Sequence, residues 1–253
     1  MNLEQFETSI KKLFTKELLK EFDDDYGFTN KTNDSIKRIG YSTNLSIEVI
    51  EQAKDNHVDL ILTHHDAWDF IFGLKEACLE KLKEYNISHF WIHGPLDFIQ
   101  FGTSTSLMRV IGVDQIMKHS IYDHREIPGI GEFSEPVDFK VLVQKMSTEL
   151  GEPIRNWQNH NKLVKRVGVL KGAGHSSNQM KVALEDGCDT YITGEATLYT
   201  IQYAQFVGMN LLVGSHTFTE IYGVESLTKK LMEIHDDIEI IQLREEHFEL
   251  NHG

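Results

Sequence analysis

Two histidines stand side by side at the end of an apolar run in LILTHHDAW, residues 60–68, and an aspartate follows them. In FWIHGPLD, residues 90–97, His93 closes another apolar run and Asp97 comes four residues later. In LLVGSHTFTE, residues 211–220, His216 follows a third, and Glu220 stands at i+4 from it. Neutral imidazole combined with carboxylate suits zinc, iron, manganese, cobalt or nickel. Two such cations a few ångströms apart repel, so a carboxylate or hydroxide has to bridge them, and Asp97 and Glu220 are the candidates. A metal pair clamps the attacking and leaving oxygens of a hydrolysis and lowers the pKa of bound water. His216 and Glu220 can share one face if a helix has begun by then. A lone histidine near a strand end is more often a satisfied polar residue than a ligand. Here three clusters follow three apolar segments. His57, His89, His119, His124, His160 and His247 lack this arrangement and read as surface or core.

The segments ahead of these clusters have the pattern of alternating strands and helices. Ile39–Tyr41 reads as a short strand. Leu45, Val49, Ile50 and Ala53 then recur at helical spacing. Val58–Thr63 is nearly all apolar, as buried parallel strands are. A helix with Leu74, Cys78, Leu79 and Leu82 inward leads to a strand over Ile87–Ile92. The second half repeats the plan from Val167 to Val213, and helix 218–233 with a strand near Ile238–Leu243 closes the chain. Such alternation implies crossovers and parallel sheets, hence an α/β fold. Ligands then bind beyond the carboxyl ends of the strands. If the three strands lie side by side, four imidazoles and two carboxylates converge at one sheet edge.

The halves also resemble each other. RIGYSTNLSIEVIEQAKDNHVDLILTHH aligns with RVGVLKGAGHSSNQMKVALEDGCDTYITGE, placing Asp59 on Asp189, Thr63 on Thr193 and His65 on Glu195. This suggests an internal duplication. Gly129, Gly131 and Pro136 precede an amphipathic helix around Lys140–Leu150, which GEPIRNWQNHN interrupts. The expected division is a discontinuous metal-binding domain of residues 1–113 and 191–253, with residues 114–190 inserted as a second α/β domain.

Composition narrows the function classes. The chain has 253 residues and a formal net charge of −14, which argues against a nucleic-acid backbone as main partner. No stretch approaches the ~18 apolar residues of a membrane span. The N-terminus reads as an amphipathic helix without the pattern of a secretion signal. Cys78 and Cys188 sit in apolar periodic segments and read as buried free thiols, which points to the cytoplasm.

At LILTHHDAW, HGPLD, PGIGEF, DTYITGEA and GSHTFTEIYGVESL the sequence resembles the NGG-one-interacting-factor-three-like family. Its members are also called dinuclear metal centre hexameric proteins, and bacterial ones GTP cyclohydrolase type two. The pieces occur in family order across most of residues 39–230, and their combination is specific where ITGE alone is not. The resemblance implies two interleaved three-layer α/β domains, a homohexamer, and two divalent or trivalent metal ions per chain. It carries the metal ligands onto His64, His65, Asp97, His216 and Glu220, with His93 as an auxiliary ligand or a residue just behind the ligands. There are departures. Asp66 stands where a proline commonly follows the paired histidines, HGPLD replaces the usual HTNLD-like stretch, and ATLYT replaces a histidine pair after ITGE. They alter the walls around the ligands and so bear on the substrate.

Two features carry alternatives. KGAGHSS, 171–177, could hold a phosphate on backbone N–H groups, but a tight turn needing glycine is the better reading. Glu195 is either a general base or a structural partner. The implied function is a metal-dependent hydrolase, GTP cyclohydrolase type two-like, acting on a nucleotide or other polar small molecule through a metal-bound hydroxide. The alternative is a non-catalytic metal-binding or metal-handling scaffold.

Overall fold

The computed structural model describes residues 1–32 and 34–247. The described residues form two compact units, one of Met1–Leu96 with Val224–His247, the other of Asp97–Gly223.

The first unit opens with α1 (Leu3–Leu13), α2 (Lys16–Glu21) and β1 (Tyr26–Asn30). It continues with β2 (Arg38–Asn44), α3 (Ile47–Asp55), β3 (Leu60–His65), α4 (Leu74–Glu84) and β4 (Ser88–Ile92). A single turn, α5 (Gly94–Asp97), leads into the second unit. That unit holds α6 (Thr103–Val110), β5 (Gln115–Lys118), β6 (Ile121–Tyr122), β7 (Glu126–Ile127), β8 (Gly129–Val137), α7 (Phe139–Leu150) and β9 (Arg155–Trp157). Its later elements are β10 (Val164–Leu170), α8 (Ser177–Glu185), β11 (Thr190–Thr193), α9 (Leu198–Val207) and β12 (Asn210–Val213). Helix α10 (His216–Ile234) carries the chain back to the first unit, which β13 (Glu239–Gln242) completes.

The first sheet runs β1-β4-β3-β2-β13. Its last four strands are parallel, and β1 pairs antiparallel with β4. Period-two alternation makes three layers. Ile61 faces Val49, Ile50 and Ala53 of α3 and Cys78 and Leu82 of α4. On the other face the Phe90 ring meets Phe6 of α1 edge-on at 5.1 Å and Phe28 of β1 at 4.9 Å.

The second sheet runs β5-β8-β10-β11-β12-β9, parallel only in the central three. Val167, Val169, Ile192 and Leu212 face Leu107, Met108, Leu142 and Met146 of α6 and α7. The alternate residues Leu170, Tyr191, Leu211 and Val213 face Met180, Ala183 and Ala204 of α8 and α9. Each such aliphatic side chain, fully buried, contributes about 1.5–3 kcal/mol. Both free cysteines are buried in these layers, and burial pushes the Cys78 thiol up to about 11 and Cys188 up to about 12.

The two sheets share a detail that sequence alignment alone could only hint at. Asp59 Oδ2 accepts from the backbone N–H groups of Lys37 at 2.8 Å and Arg38 at 3.0 Å. Asp189 Oδ2 does the same for Lys165 at 2.8 Å and Arg166 at 3.1 Å. Ser46 caps α3 and Ser176 caps α8. Equivalent carboxylates pin equivalent strand starts, so β2-α3-β3 and β10-α8-β11 are repeats of one device. Alanine at Asp59 and at Asp189 should destabilise the protein similarly, by about 1.5–3 kcal/mol each, since each bond set involves a charged acceptor. Urea unfolding of the two variants checks this, and a large effect at one site with none at the other would count against equivalence.

The boundaries differ from those read in the sequence. Strands β11 and β12 hydrogen-bond to β10 and to each other, so residues 191–213 belong with the second sheet. Residues 97–113 supply α6 to the core of that same unit.

Candidate metal centre

In the first unit the paired histidines are the last two residues of β3. β4 lies beside β3, and His93 follows its last residue. The three rings gather with centroids 4.6 Å apart for His64–His65, 4.8 Å for His64–His93 and 5.1 Å for His65–His93. One ring nitrogen from each lies within 4.8 Å of the others. His93 is thus a full member of the cluster.

Each imidazole is held by its Nδ1. His64 Nδ1 donates to the Ile92 carbonyl at 2.9 Å, His65 Nδ1 to Asn44 Oδ1 at 2.8 Å, and His93 Nδ1 to Asp25 Oδ2 at 2.8 Å. The acceptors settle the tautomer: a carbonyl takes only an N–H, so the lone pair sits on Nε2. This is the outer-shell pattern that orients histidine toward a metal. Three imidazoles that each engage Nδ1 and keep Nε2 for a ligand fit zinc or another borderline divalent ion.

The Asn44 orientation is itself determined. Glu245 accepts from Asn44 Nδ2 at 2.8 Å and from the Asn44 backbone N–H at 3.0 Å. A carboxylate only accepts, so the amide Oδ1 is turned to His65. Burial pushes the Glu245 carboxyl up, against the lowering effect of these N–H donors. Replacing Asn44 by leucine should weaken metal binding by about 10–100-fold. Competition with a chromophoric chelator reads this directly, and unchanged affinity would refute the link.

Asp66, next in the motif, turns elsewhere. It accepts from Thr29 Oγ1 at 2.8 Å and pairs with Lys75 at 3.2 Å.

In the second unit, Val213 of β12 is followed by Gly214, Ser215 and then His216, the first residue of α10. The helix has begun, so His216 Nε2 and Glu220 Oε2 meet at 3.3 Å. Glu195, just beyond β11, accepts from His216 Nδ1 at 2.7 Å and lies 3.3 Å from His175 Nδ1. Burial disfavours a charged His216, but Glu220 and Glu195 outweigh it and push the imidazole up to about 10. The hydrogen bond from His216 in turn holds the Glu195 carboxyl below its usual value, against partial burial. Glu195 therefore positions His216. Asp97 closes α5; its Oδ1 accepts from Thr103 Oγ1 at 2.9 Å.

Lys171, unforeseen as a site residue, lies among these carboxylates. Its Nζ is 2.7 Å from Asp97 Oδ2 and 3.5 Å from Glu220 Oε1, and all three side chains are buried. Burial works against the ammonium; Asp97 and Glu220 more than offset it and raise its pKa. The following KGAG turn is a close-approach device, as its glycines suggested. Gly172 has φ +54°, and a Cβ there would fall 2.2 Å from Glu220 Oε1. Its N–H donates to Thr219 Oγ1 at 3.0 Å.

The expected single sheet edge is not what the chain builds. β3 and β4 end one sheet and β12 belongs to the other. By position in the chain, His64, His65 and His93 come from the first unit and Asp97, His216 and Glu220 from the second.

A model described as Duf34/NIF3 (NGG1p interacting factor 3) matches residues 1–247. The chain belongs to the DUF34/NIF3 family. A relative from Haemophilus influenzae named GTP cyclohydrolase 1 type 2 homolog is 27% identical over 231 residues, covering 86% of this chain and 90% of its own length. One of the same name from Pyrococcus horikoshii is 26% identical over 216 residues, with coverages of 82% and 84%. Among solved structures, reduced HcgD from Methanocaldococcus jannaschii has a TM-score of 0.78 at 23% identity, covering 97% of this chain and 98% of that one. A Bacillus cereus protein related to NIF3 has a TM-score of 0.79 at 14% identity and covers 98% of both chains. At those identities the likeness establishes the fold. Among the described residues no helix is long and apolar enough to cross a membrane.

Asp25, Asn44, Thr103, Lys171, His175 and Glu245 were not among the sequence candidates. Only Lys171 and His175 lay inside a motif that drew attention, KGAGHSS.

Proposed function

We propose that this DUF34/NIF3 protein is a cytoplasmic, metal-dependent hydrolase of the GTP cyclohydrolase type two-like kind, acting on a nucleotide or another polar small molecule. The metal ligands are drawn from His64, His65, Asp97, His216 and Glu220, with His93 joining them, and would serve two ions per chain if every donor is available to metal. The single observation that supports this most is the imidazole trio with all three Nδ1 atoms engaged. A core histidine needs a partner for its polarity, but three adjacent ones with a common tautomer make a nitrogen donor set.

A bound divalent ion would supply a Lewis acid that polarises substrate oxygens and lowers the pKa of water. The chain's own residues do the rest. Asp25 holds a proton on His93 Nδ1 and Glu195 holds one on His216 Nδ1, which orients both rings and leaves Nε2 of each as the atom available to a metal. Glu195 acts through His216.

Metal analysis of the purified protein, joined to a hydrolysis screen over nucleotides and phosphoesters, tests the reading. Metal-dependent turnover that fails in His64→Ala with His65→Ala supports it. A metal-loaded protein inert on the whole panel would favour the scaffold reading.

A homohexamer is the proposed assembly. Phe70, Phe72 and Phe206 are 70%, 97% and 86% exposed, and covering such side chains would offset the repulsion between chains of net charge −14. Sedimentation at micromolar concentration should show a species near six chains in mass; a monomer would end this proposal.

A further inference from the structure

Asp97 and Glu220 were read from sequence as the carboxylates that would neutralise and bridge two cations. In the folded second unit they already have a cation. Lys171 is 4% exposed, and its Nζ lies 2.7 Å from Asp97 Oδ2 and 3.5 Å from Glu220 Oε1. A lysine is almost never buried to this extent unless paired, and here the pairing is with the two groups on which a second metal would depend.

The ammonium is also built in. Lys171 directly follows Leu170, the last residue of β10, whose pairing with Thr193 fixes it in register. On its other side the turn is pinned: Gly172 N–H donates to Thr219 Oγ1, and Gly194 N–H donates to the Gly172 carbonyl at 3.1 Å. The turn already lies so close to α10 that a Cβ at Gly172 would strike Glu220 and His216. Further side chains stand at the remaining oxygens of the two carboxylates. Asp97 Oδ1 has Thr103 Oγ1 at 2.9 Å, and Glu220 Oε2 has His216 Nε2 at 3.3 Å. A divalent ion on this pair would have to displace the ammonium or stand beside it, and like charges in a buried site oppose each other strongly.

We propose that Lys171 is a resident cation that takes the place of one metal ion: the chain holds a single divalent ion on His64, His65 and His93, while Asp97 and Glu220 carry Lys171. This rests on the metal-centre reading above and narrows it. It assigns the first unit to metal binding and makes the acidic set of the second unit a fixed, protein-supplied charge. The role is one that a bridging cation would otherwise fill, in balancing the buried carboxylates and any anionic substrate group.

The test is zinc stoichiometry of the full chain. Wild type and Lys171→Met are stripped with chelator and dialysed against rising free zinc, and bound zinc is measured by mass spectrometry. Wild type is expected to level off at one zinc per chain. Lys171→Met leaves two buried carboxylates without their cation and should take up a second zinc, at least about a hundredfold more tightly than wild type does. Circular dichroism confirms that the variant is folded. If it is not, the wild-type stoichiometry alone decides: one tight zinc supports the proposal and two overturn it. Two tight zinc ions in wild type would overturn the role of Lys171 and leave the metal centre standing. One zinc in both wild type and a folded variant would equally reject that role. No tight zinc in either protein would overturn the metal centre itself, and the lysine substitution with it.

Discussion

The variant carrying His64→Ala with His65→Ala should retain its fold and contain no tightly bound metal. Two of the three imidazoles in the cluster are removed, and His93 alone offers one nitrogen. Affinity should therefore fall by more than the ~10–100-fold that the loss of a mere outer-shell partner costs. Retention of fold follows from where the energy lies. β3 is anchored by Leu60, Ile61 and Leu62, all 0% exposed, and by its pairing with β2 and β4 on either side. Truncating two buried rings costs stability, on the order of 0.5–3 kcal/mol each. Against a typical ~5–15 kcal/mol of domain stability that is tolerable. Metal content and near-ultraviolet circular dichroism, measured on the same sample, separate the outcomes. Metal at the wild-type level would remove these histidines from the site. An unfolded variant would mean that the imidazoles stabilise the sheet itself, contrary to the placement of its core.

Much of this was legible because the signals were local. Val58–Thr63 is apolar because β3 is covered on both faces, and the paired histidines follow because they end that strand. His216 and Glu220 meet because α10 starts at His216, as their spacing required. What escaped the sequence was long-range. β12 has the same apolar pattern as β3 and β4, and nothing in four buried residues says which sheet they join. The sheet that β12 joins was not legible for that reason. Glu245 lies 201 residues from the Asn44 it orients, and its segment carries no periodicity. Lys171 was hidden differently. In sequence a lysine before Gly-Ala-Gly suggests a phosphate loop or an exposed turn, whereas its burial depends on Asp97 and Glu220 arriving from α5 and α10.

Acid should weaken the metal-free protein through a histidine outside the ligand set. His89 is fully buried on β4, and its Nε2 lies 2.8 Å from Thr63 Oγ1. That hydroxyl donates its only proton to the His65 carbonyl at 2.6 Å, so His89 Nε2 must be the donor and the ring is the neutral tautomer. Burial lowers its pKa to about 4; nearby Asp66 opposes the shift and Lys75 adds to it. The unfolded chain binds a proton at this residue below about 6.5, while the folded chain resists it until about 4. More protons on the unfolded state mean that stability falls as pH falls. The contribution is complete above the upper value and is lost progressively down to the lower one, by roughly 3 kcal/mol in all. His89→Gln keeps an N–H for Thr63 but cannot titrate. Urea unfolding with chelator present, at several pH values between 7.5 and 4.5, should give a shallower acid-side decline in the variant, by about that amount. Parallel curves for the two proteins would show that some other group carries the acid sensitivity. The residue matters to the candidate site because Thr63 joins it to His65.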